Sequence, residues 1–132
     1  MGTMGYKSIN SHLGYRQSRR DDLQSFLFTI VHLKCRTDLN FEPRLTWIEE
    51  KFTNGASQDY LETKVLEAKK VFFKNLNGMN DENPFSEISK HICLMKFIDE
   101  PNYQFLLVKL TKYLKDENLD RINAEIVDFL KK

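Results

Sequence analysis

Two adjacent aspartates, Asp21 and Asp22, are the most compact pair of side chains in this sequence that could do chemistry. Paired carboxylates can act in acid–base catalysis, or they can bind a metal ion. Both residues, however, follow Ser18, which is a good N-cap, and carboxylates in the first turn of a helix are stabilised by its dipole. We therefore interpret the two carboxylates as groups that stabilise the start of a helix and not as a catalytic or metal site.

Histidine and cysteine also occur close together, and both residue types are zinc ligands. The pairs are His32 with Cys35, which are about one helical turn apart, and His91 with Cys93. A structural zinc site needs four ligands in a closed tetrahedral arrangement. We therefore expect a buried imidazole and small apolar thiols at these positions, with no metal and no cofactor.

The bulk composition narrows the range of functions. The chain has 132 residues, which suits one domain, and 41% of them are hydrophobic, which is enough for a core. The 20 basic and 19 acidic residues leave a net charge of +1, with no electrostatic footprint for nucleic acid. No apolar run approaches the ~18 residues of a membrane span. Because the two cysteines lie far apart, we interpret them as free thiols in a reducing cytosol.

The spacing of the apolar residues predicts an all-α fold of about five helices. A first long helix is predicted to run from Ser18 to Cys35, with its apolar side chains covering an arc of about 220°. Such a helix is expected to be wrapped by protein on most of its sides. The apolar residues of this arc are Leu23, Phe26, Leu27, Phe28, Ile30, Val31 and Leu33.

Four more helices are predicted downstream. They run over 57–73, over 83–97 with Asn83 and Pro84 at the start, from 101, and from 118. The 57–73 helix is rich in lysine, and we expect its lysines to form a solvated face because glutamates are interspersed with them. These lysines are Lys64, Lys69, Lys70 and Lys74.

The first 25 residues carry a long and specific pattern. They contain G-T, then Y-x-S-I-N-x-H-L-G and, after a short spacer, S-R-R-D-D-L-x-S. This order resembles the casein kinase 1 superfamily, which includes the tau-tubulin kinases, and whose pattern is roughly G-T-x-R-Y-x-S-I-N-x-H followed by S-R-R-D-D-L-x-S. Two shorter matches follow in the same order, L-T-W at 45–47 and F-I-D-E-P-N-Y-Q-F-L-L-V-K-L at 97–110.

The resemblance implies that residues 1–132 form a single truncated kinase-like domain, similar to the C-terminal half of a kinase large lobe. Residues 1–17 would be a peptide-facing loop, 18–35 the central buried helix and 36–132 the remaining helices. A protein kinase also needs a Gly-rich loop, a strand lysine, the catalytic-loop Asp and Asn, and D-F-G. Because these patterns do not occur in the 132 residues, we expect this chain neither to bind ATP nor to act as an enzyme.

The resemblance also implies roles for individual residues. In the family, the segment that matches 2–10 lies beside the bound peptide, and a lysine after L-P-W binds an anion. Gly5 stands where the family has a basic residue that helps to hold a phosphate, so one bidentate contact is missing. The residues expected to bind substrate are Gly2, Thr3, Tyr6, Ser8, Asn10 and Lys51.

Three structural residues follow from the same resemblance, namely Arg20, Asp22 and Trp47. Asp22 matches an aspartate that is buried in the family and accepts hydrogen bonds from the catalytic loop. Because that loop is missing from this sequence, we expect Asp22 to be solvated, to be protonated or to receive donors from another chain.

The wide apolar arc of the central helix, together with the missing kinase elements, suggests an interaction surface. We expect a partner chain or a large assembly to cover it, in a cytoplasmic protein for which a cytoskeletal or ciliary location stays open. The residues expected at this interface are Leu23, Phe26, Leu27 and Ile30.

Three hypotheses about function therefore stay open. The first is a non-catalytic module for protein–protein interaction or structural assembly. The second is a fragment of a casein kinase 1-like Ser/Thr protein kinase whose ATP-binding half is on another chain or missing from the gene model. The third, weaker hypothesis is a decoy that still binds peptides through residues 2–10.

Overall fold

The computed structural model describes residues 5–49, 57–79 and 83–115, without the side chains at 84 and 112–115. Within these ranges the chain is helical and contains no strand, which confirms the all-α prediction. None of the described helices combines the length and the apolar composition that would let it cross a membrane. The helices are α1 (Ile9–His12), α2 (Arg19–Thr37), α3 (Thr46–Glu49), α4 (Gln58–Asn77), α5 (Pro84–Leu94) and α6 (Tyr103–Lys115).

The central helix α2 begins where the sequence predicts. The carboxylate of Asp21 accepts a hydrogen bond from the backbone N–H of Ser18 at 2.8 Å, which makes a capping box at the helix start. The middle of α2 is fully buried, since Leu27, Phe28 and Val31 are at most 1% exposed. This helix is therefore the centre of the core, as its wide apolar arc predicts.

A single arginine supports the C-terminal end of α2, where backbone carbonyls lack helical partners. The guanidinium of Arg44 donates to main-chain oxygens at 3.1–3.3 Å and also pairs with the carboxylate of Glu49 at 2.7 Å. Arg44 thereby holds the loop between α2 and α3 against the helix end. The oxygens that it contacts are those of Cys35, Asp38, Leu39 and Phe41.

An aromatic cluster joins α2 to α3 and α4. The ring of Phe28 lies with its centroid 5.4–5.6 Å from those of Trp47, Phe72 and Phe73. Each of these rings is at most 5% exposed, and burying such a side chain contributes about 1.5–3 kcal/mol. The cluster therefore sets how α4 packs on the central helix.

The remaining helix starts agree with the sequence, whereas two of the ends differ. The Ser57 hydroxyl accepts from Tyr60 N–H at the start of α4, and the side-chain oxygen of Asn83 accepts from Phe85 N–H at the start of α5. α4 continues to Asn77, beyond the predicted 73, and α5 ends at Leu94, before the predicted 97. The helix predicted from 118 lies outside the described residues.

Asp21, and not Asp22, is the buried carboxylate at the start of α2. Asp21 is 2% exposed and also accepts a hydrogen bond from Nδ2 of Asn10 at 3.1 Å, whereas Asp22 is exposed. Neighbouring helical residues point about 100° apart, so only one of the two carboxylates can face α1. Asp22 is therefore accessible to solvent in the described chain.

This difference between the two aspartates can be tested by substitution. Asp21→Ala is expected to lower the free energy of unfolding by about 1–3 kcal/mol, because Ser18 N–H and the Asn10 amide lose their acceptor. Asp22→Ala is the matched control, and its effect is expected to stay within about 0.5 kcal/mol. Urea denaturation measures both values, and equal losses would contradict the distinction.

Candidate functional site

The peptide-facing loop predicted from the sequence is described from Gly5 onward, and it packs against α2 and α4. Gly2, Thr3 and Lys51, which are predicted to bind substrate, lie outside the described residues. Tyr6, Ser8 and Asn10 are described, and each uses its side chain within the chain. Substrate binding by this loop therefore stays a prediction.

Tyr6 and Ser8 are held by hydrogen bonds inside the loop and to α2. The hydroxyl of Tyr6 lies 2.7 Å from Nδ1 of His32, and burial raises the pKa of Tyr6. Ser8 is 1% exposed and is the N-cap of α1, where its oxygen accepts from Ser11 N–H at 3.1 Å. It also donates to the side-chain oxygen of Gln17 at 3.2 Å. These contacts give the loop one defined path across the surface of α2.

Trp47 connects this loop to α3. Its indole N–H donates to the carbonyl oxygen of Gly5 at 2.8 Å, while its ring packs edge-on against Phe28 and Phe72. A Cβ atom at Gly5 would lie 3.7 Å from the Ile48 side chain, an ordinary contact distance. Steric crowding therefore does not explain why glycine stands at the position where the casein kinase 1 family has a basic residue.

Arg20, another predicted structural residue, joins the start of α2 to the end of α5. Its Nη1 atom donates to the carbonyl oxygen of Met95 at 3.3 Å. Met95 is the C-cap residue of α5, so the hydrogen bond ties this helix end to α2. The Nε atom of Arg20 lies 4.0 Å from the carboxylate of Asp21.

Lys69 is buried, and the prediction that it lies on a solvated lysine face is wrong. Its side chain is fully enclosed, and Nζ donates to the carbonyl oxygen of Lys7 at 2.6 Å. Nζ also lies 2.8 Å from Nε2 of His12 and above the rings of Phe28 and Trp47, at 5.3 and 5.9 Å from their centroids. The ammonium group is therefore held between the loop and the aromatic cluster.

A signal for this burial was present in the sequence. Val65, Lys69, Phe72 and Leu76 recur at three- and four-residue intervals, which places Lys69 in the middle of the apolar stripe of α4. Exposed Lys64, in contrast, lies off this stripe. Residue type alone suggested a solvated face, whereas position in the helical repeat indicates the interior.

Burial and neighbouring charges shift the two bases of this cluster toward their neutral forms. Desolvation, followed by the charge of Lys7, lowers the pKa of Lys69 to about 7. Desolvation, followed by the charges of Lys69 and Lys7, lowers the pKa of His12 to about 4. The carboxylate of Glu62 pairs with Lys7 at 2.7 Å and lies 3.5 Å from Nδ1 of His12.

A partly neutral lysine could serve as a nucleophile or a base. Lys69, however, has no exposed surface, and its amine is directed to a backbone carbonyl and to His12. Catalysis requires contact with a reacting atom, and this position offers none. The arrangement of these groups therefore serves to hold the loop on α4.

An apolar groove of about 340 Å³ lies between α2, α5 and α6. All four residues that the sequence predicts at a partner interface line it, but they are covered to different degrees. Leu27 and Ile30 form a floor that is 1–2% exposed, whereas Leu23 and Phe26 are only half-buried. The groove is lined by Leu23, Phe26, Leu27, Ile30, Ile88, Ile92, Tyr103, Leu106, Leu107 and Leu110.

More of α2 is covered by its own chain than the sequence predicts. α5 packs along the side of α2 that carries Leu27 and Ile30, and α6 packs on α5, so these two residues already belong to the core. The apolar surface that a partner can reach here is therefore a groove and not a whole helix face. Its α6 wall stays open, since Tyr103 and Leu107 are 62% and 64% exposed.

Comparison with known proteins gives a consistent picture. No protein-family model matches the chain. It is 31% identical over 111 residues to a probable casein kinase I homolog of Encephalitozoon cuniculi, which covers 84% of this chain and 32% of that protein. A casein kinase 1-like protein of Oryza sativa is 32% identical, covering 80% of this chain and 13% of its own length. Casein kinase I homolog 2 of Schizosaccharomyces pombe is 31% identical, covering 80% and 22%.

The chain is thus distantly homologous to casein kinase 1 proteins, which confirms the resemblance seen in its motifs. The homology extends over about four fifths of the chain. The chain spans a third or less of the length of these relatives. It corresponds to one segment of such a kinase.

The buried bases make stability depend on pH. The unfolded chain takes up protons near the ordinary pKa values of 10.5 for Lys69 and 6.5 for His12, whereas the folded chain releases them near 7 and 4. The free energy of unfolding is therefore expected to rise with pH between about 4 and 6.5, and again between about 7 and 10.5.

Two matched variants separate the lysine from other titrating groups. Lys69→Met is expected to flatten the upper rise, whereas Lys70→Met, at an exposed position of the same helix, is expected to keep it. Denaturant unfolding at several pH values measures both slopes. A Lys69→Met chain with the native pH dependence above about pH 7 would contradict this assignment.

Proposed function

We propose that this chain, a distant homolog of one segment of casein kinase 1 proteins, is a non-catalytic module that binds another polypeptide. Its binding surface is the groove between α2, α5 and α6. The observation that carries this proposal is that the groove is apolar and open on one side, although the other apolar residues of the α2 arc, Phe28, Val31 and Leu33, are buried. An accessible apolar groove bounded by helices is typical of protein–protein recognition.

The spacing of the groove residues favours a helix as the bound element. Tyr103, Leu107 and Leu110 recur along α6 at intervals of three and four residues, and Leu23 and Phe26 do so along α2. Two such rows line the same groove, which can receive the apolar stripe of a third helix. The partner is therefore expected to present apolar side chains at i, i+3, i+4 and i+7.

Binding, and not phosphoryl transfer, agrees with the chemistry available in the chain. Phosphoryl transfer depends on groups that hold the nucleotide phosphates and magnesium, and the sequence contains no pattern for them. The described base with the most strongly lowered pKa, Lys69, is enclosed and holds the loop in place. A scaffolding or assembly role in the cytoplasm is the function that we assign to this pseudokinase-like segment.

A second candidate is supported by the lengths of the relatives. They are named as casein kinases, and each carries at least two thirds of its length outside the matched region. The same groove would then receive a helix of an ATP-binding half that is supplied by another polypeptide. In this case the assembled pair, and not the chain alone, would be a Ser/Thr protein kinase.

The groove can be tested with a synthetic helical peptide that carries leucines at i, i+3, i+4 and i+7. Leu23→Asp and Phe26→Asp are each expected to weaken its binding by at least about tenfold, because each places a charge in an apolar wall. Leu39→Asp is the control, since Leu39 is 82% exposed in the loop after α2. Calorimetric titration measures the affinities, and circular dichroism confirms that each variant keeps its helices.

The results separate the two candidates and can reject both. Equal affinities in all three variants and the native chain would contradict the assignment of the groove. The chain alone is expected to bind no nucleotide, as measured with a fluorescent ATP analogue. If the ATP-binding half of a casein kinase 1 homolog binds at the groove and the pair phosphorylates casein, the second candidate replaces the first.

A further inference from the structure

Lys69 and His12 place two nitrogen bases in direct contact inside the described chain. Nζ of Lys69 lies 2.8 Å from Nε2 of His12, and both side chains are fully enclosed. At this distance one nitrogen donates a hydrogen and the other accepts it. The same Nζ also donates to the carbonyl oxygen of Lys7 at 2.6 Å, so the pair connects α4 to both ends of the segment 7–12.

The surroundings of the pair favour one distribution of its hydrogens. The Lys69 nitrogen lies over the rings of Phe28 and Trp47, a place that favours an ammonium group. Across the imidazole, the buried Nδ1 of His12 lies 3.5 Å from the carboxylate of Glu62. This arrangement fits a neutral imidazole whose Nε2 accepts from the ammonium group and whose Nδ1 carries the hydrogen on the side of Glu62.

The Lys69–His12 pair can hold one positive charge but not two. With one charge or none, one of the two nitrogens keeps a lone pair for the hydrogen of the other. With two charges, both nitrogens are donors, and two cations face each other in an enclosed site. Desolvation, then the charges of Lys69 and Lys7, accordingly lower the pKa of His12 to about 4, and Glu62 acts in the opposite direction.

The segment 5–17, which contains His12, contributes little to the apolar core. Of its residues only Ser8 is buried. On the α2 side the segment meets two ionisable groups, since Asp21 accepts from Asn10 and His32 contacts the hydroxyl of Tyr6. A change at the Lys69–His12 pair can therefore free the segment from α4 without unpacking the core helices.

We propose that the Lys69–His12 pair is an acid-sensitive switch, in which a second proton breaks the hydrogen bond and releases the segment 5–17 from α4 while α2, α4 and α5 stay packed. The proton adds to Nε2 of His12, the atom that accepted from Lys69, and no other covalent bond changes. This switch is independent of the groove between α2, α5 and α6, which no residue of the segment lines.

The single tryptophan of the chain reports this opening. Trp47 is 5% exposed and its indole N–H donates to the carbonyl oxygen of Gly5, so release of the segment brings the indole into water. Its fluorescence emission is expected to shift to longer wavelength with a midpoint near pH 4, while circular dichroism keeps most of the helix content. Loss of both in one transition, or an emission unchanged between about pH 7 and about pH 3, would overturn the proposal.

Substitutions assign the transition to one residue. His12→Gln takes up no proton, yet its amide oxygen can still accept from Lys69, so the midpoint is expected to fall by at least about one pH unit. His91→Gln on α5 is the matched control and is expected to keep the native midpoint. A His12→Gln chain with the native midpoint contradicts the switch.

A further variant excludes the neighbouring carboxylate as the titrating group. Glu62→Gln removes the negative charge that favours a protonated His12, so this variant is expected to stay closed at neutral pH with a midpoint no higher than the native one. If the segment opened because Glu62 itself takes up a proton, Glu62→Gln would already be open at neutral pH. That result would place the switch at Glu62 and overturn the proposal.

Nitrogen-15 NMR of the native chain tests the closed state without any substitution. At about pH 6 the couplings between the ring protons and ring nitrogens of His12 are expected to show a hydrogen on Nδ1 and none on Nε2. The resonances of His12 are those missing from the spectrum of His12→Gln. A hydrogen on Nε2, or an imidazolium at this pH, would contradict the arrangement from which the switch starts.

Discussion

The arrangement of the described helices depends on the burial of Phe28 in the middle of α2. Its ring is fully enclosed and contacts the rings of Trp47, Phe72 and Phe73, which come from α3 and α4. The Lys69 ammonium lies against the same ring, at 5.3 Å from its centroid. Because these elements meet at one side chain, the position of α4 and the path of the loop before α2 are set together.

Polar contacts then fix the positions of the loop before α2 and of the end of α5, which apolar burial alone would not determine. Hydrophobic contacts are not directional, whereas a buried hydrogen bond has one acceptable geometry. Asp21 holds the loop to the start of α2, and Arg20 holds the end of α5 there. Lys69 and Trp47 hold the loop from its other side through backbone carbonyls. An unpaired buried group costs about 1–3 kcal/mol, so each contact also selects against other packings.

The sequence predicted those features that local chemistry decides. Ser18, Ser57 and Asn83 mark helix starts because capping depends on neighbouring residues, and the apolar arc of α2 predicts its central place. The choice between Asp21 and Asp22 depends on where α1 lies, which is a tertiary contact. The packing of α5 on α2, and of α6 on α5, is also tertiary, so the sequence indicated an interface but not its reduction to a groove.

Lys69 illustrates a different limit of prediction from the sequence. Its place in the repeat of α4 predicts an inward position, yet its charge predicts an outward one, and pattern alone cannot rank the two. The decision depends on whether partners exist for a buried ammonium, and these come from residues 57 and 62 positions away, His12 and Lys7. The loop that the resemblance connects with peptide binding is thus held in place from inside by a buried base. A segment homologous to part of a kinase can in this way keep its loop in place through contacts with its own helices. The same described helices leave apolar side chains open along the α6 wall of the groove.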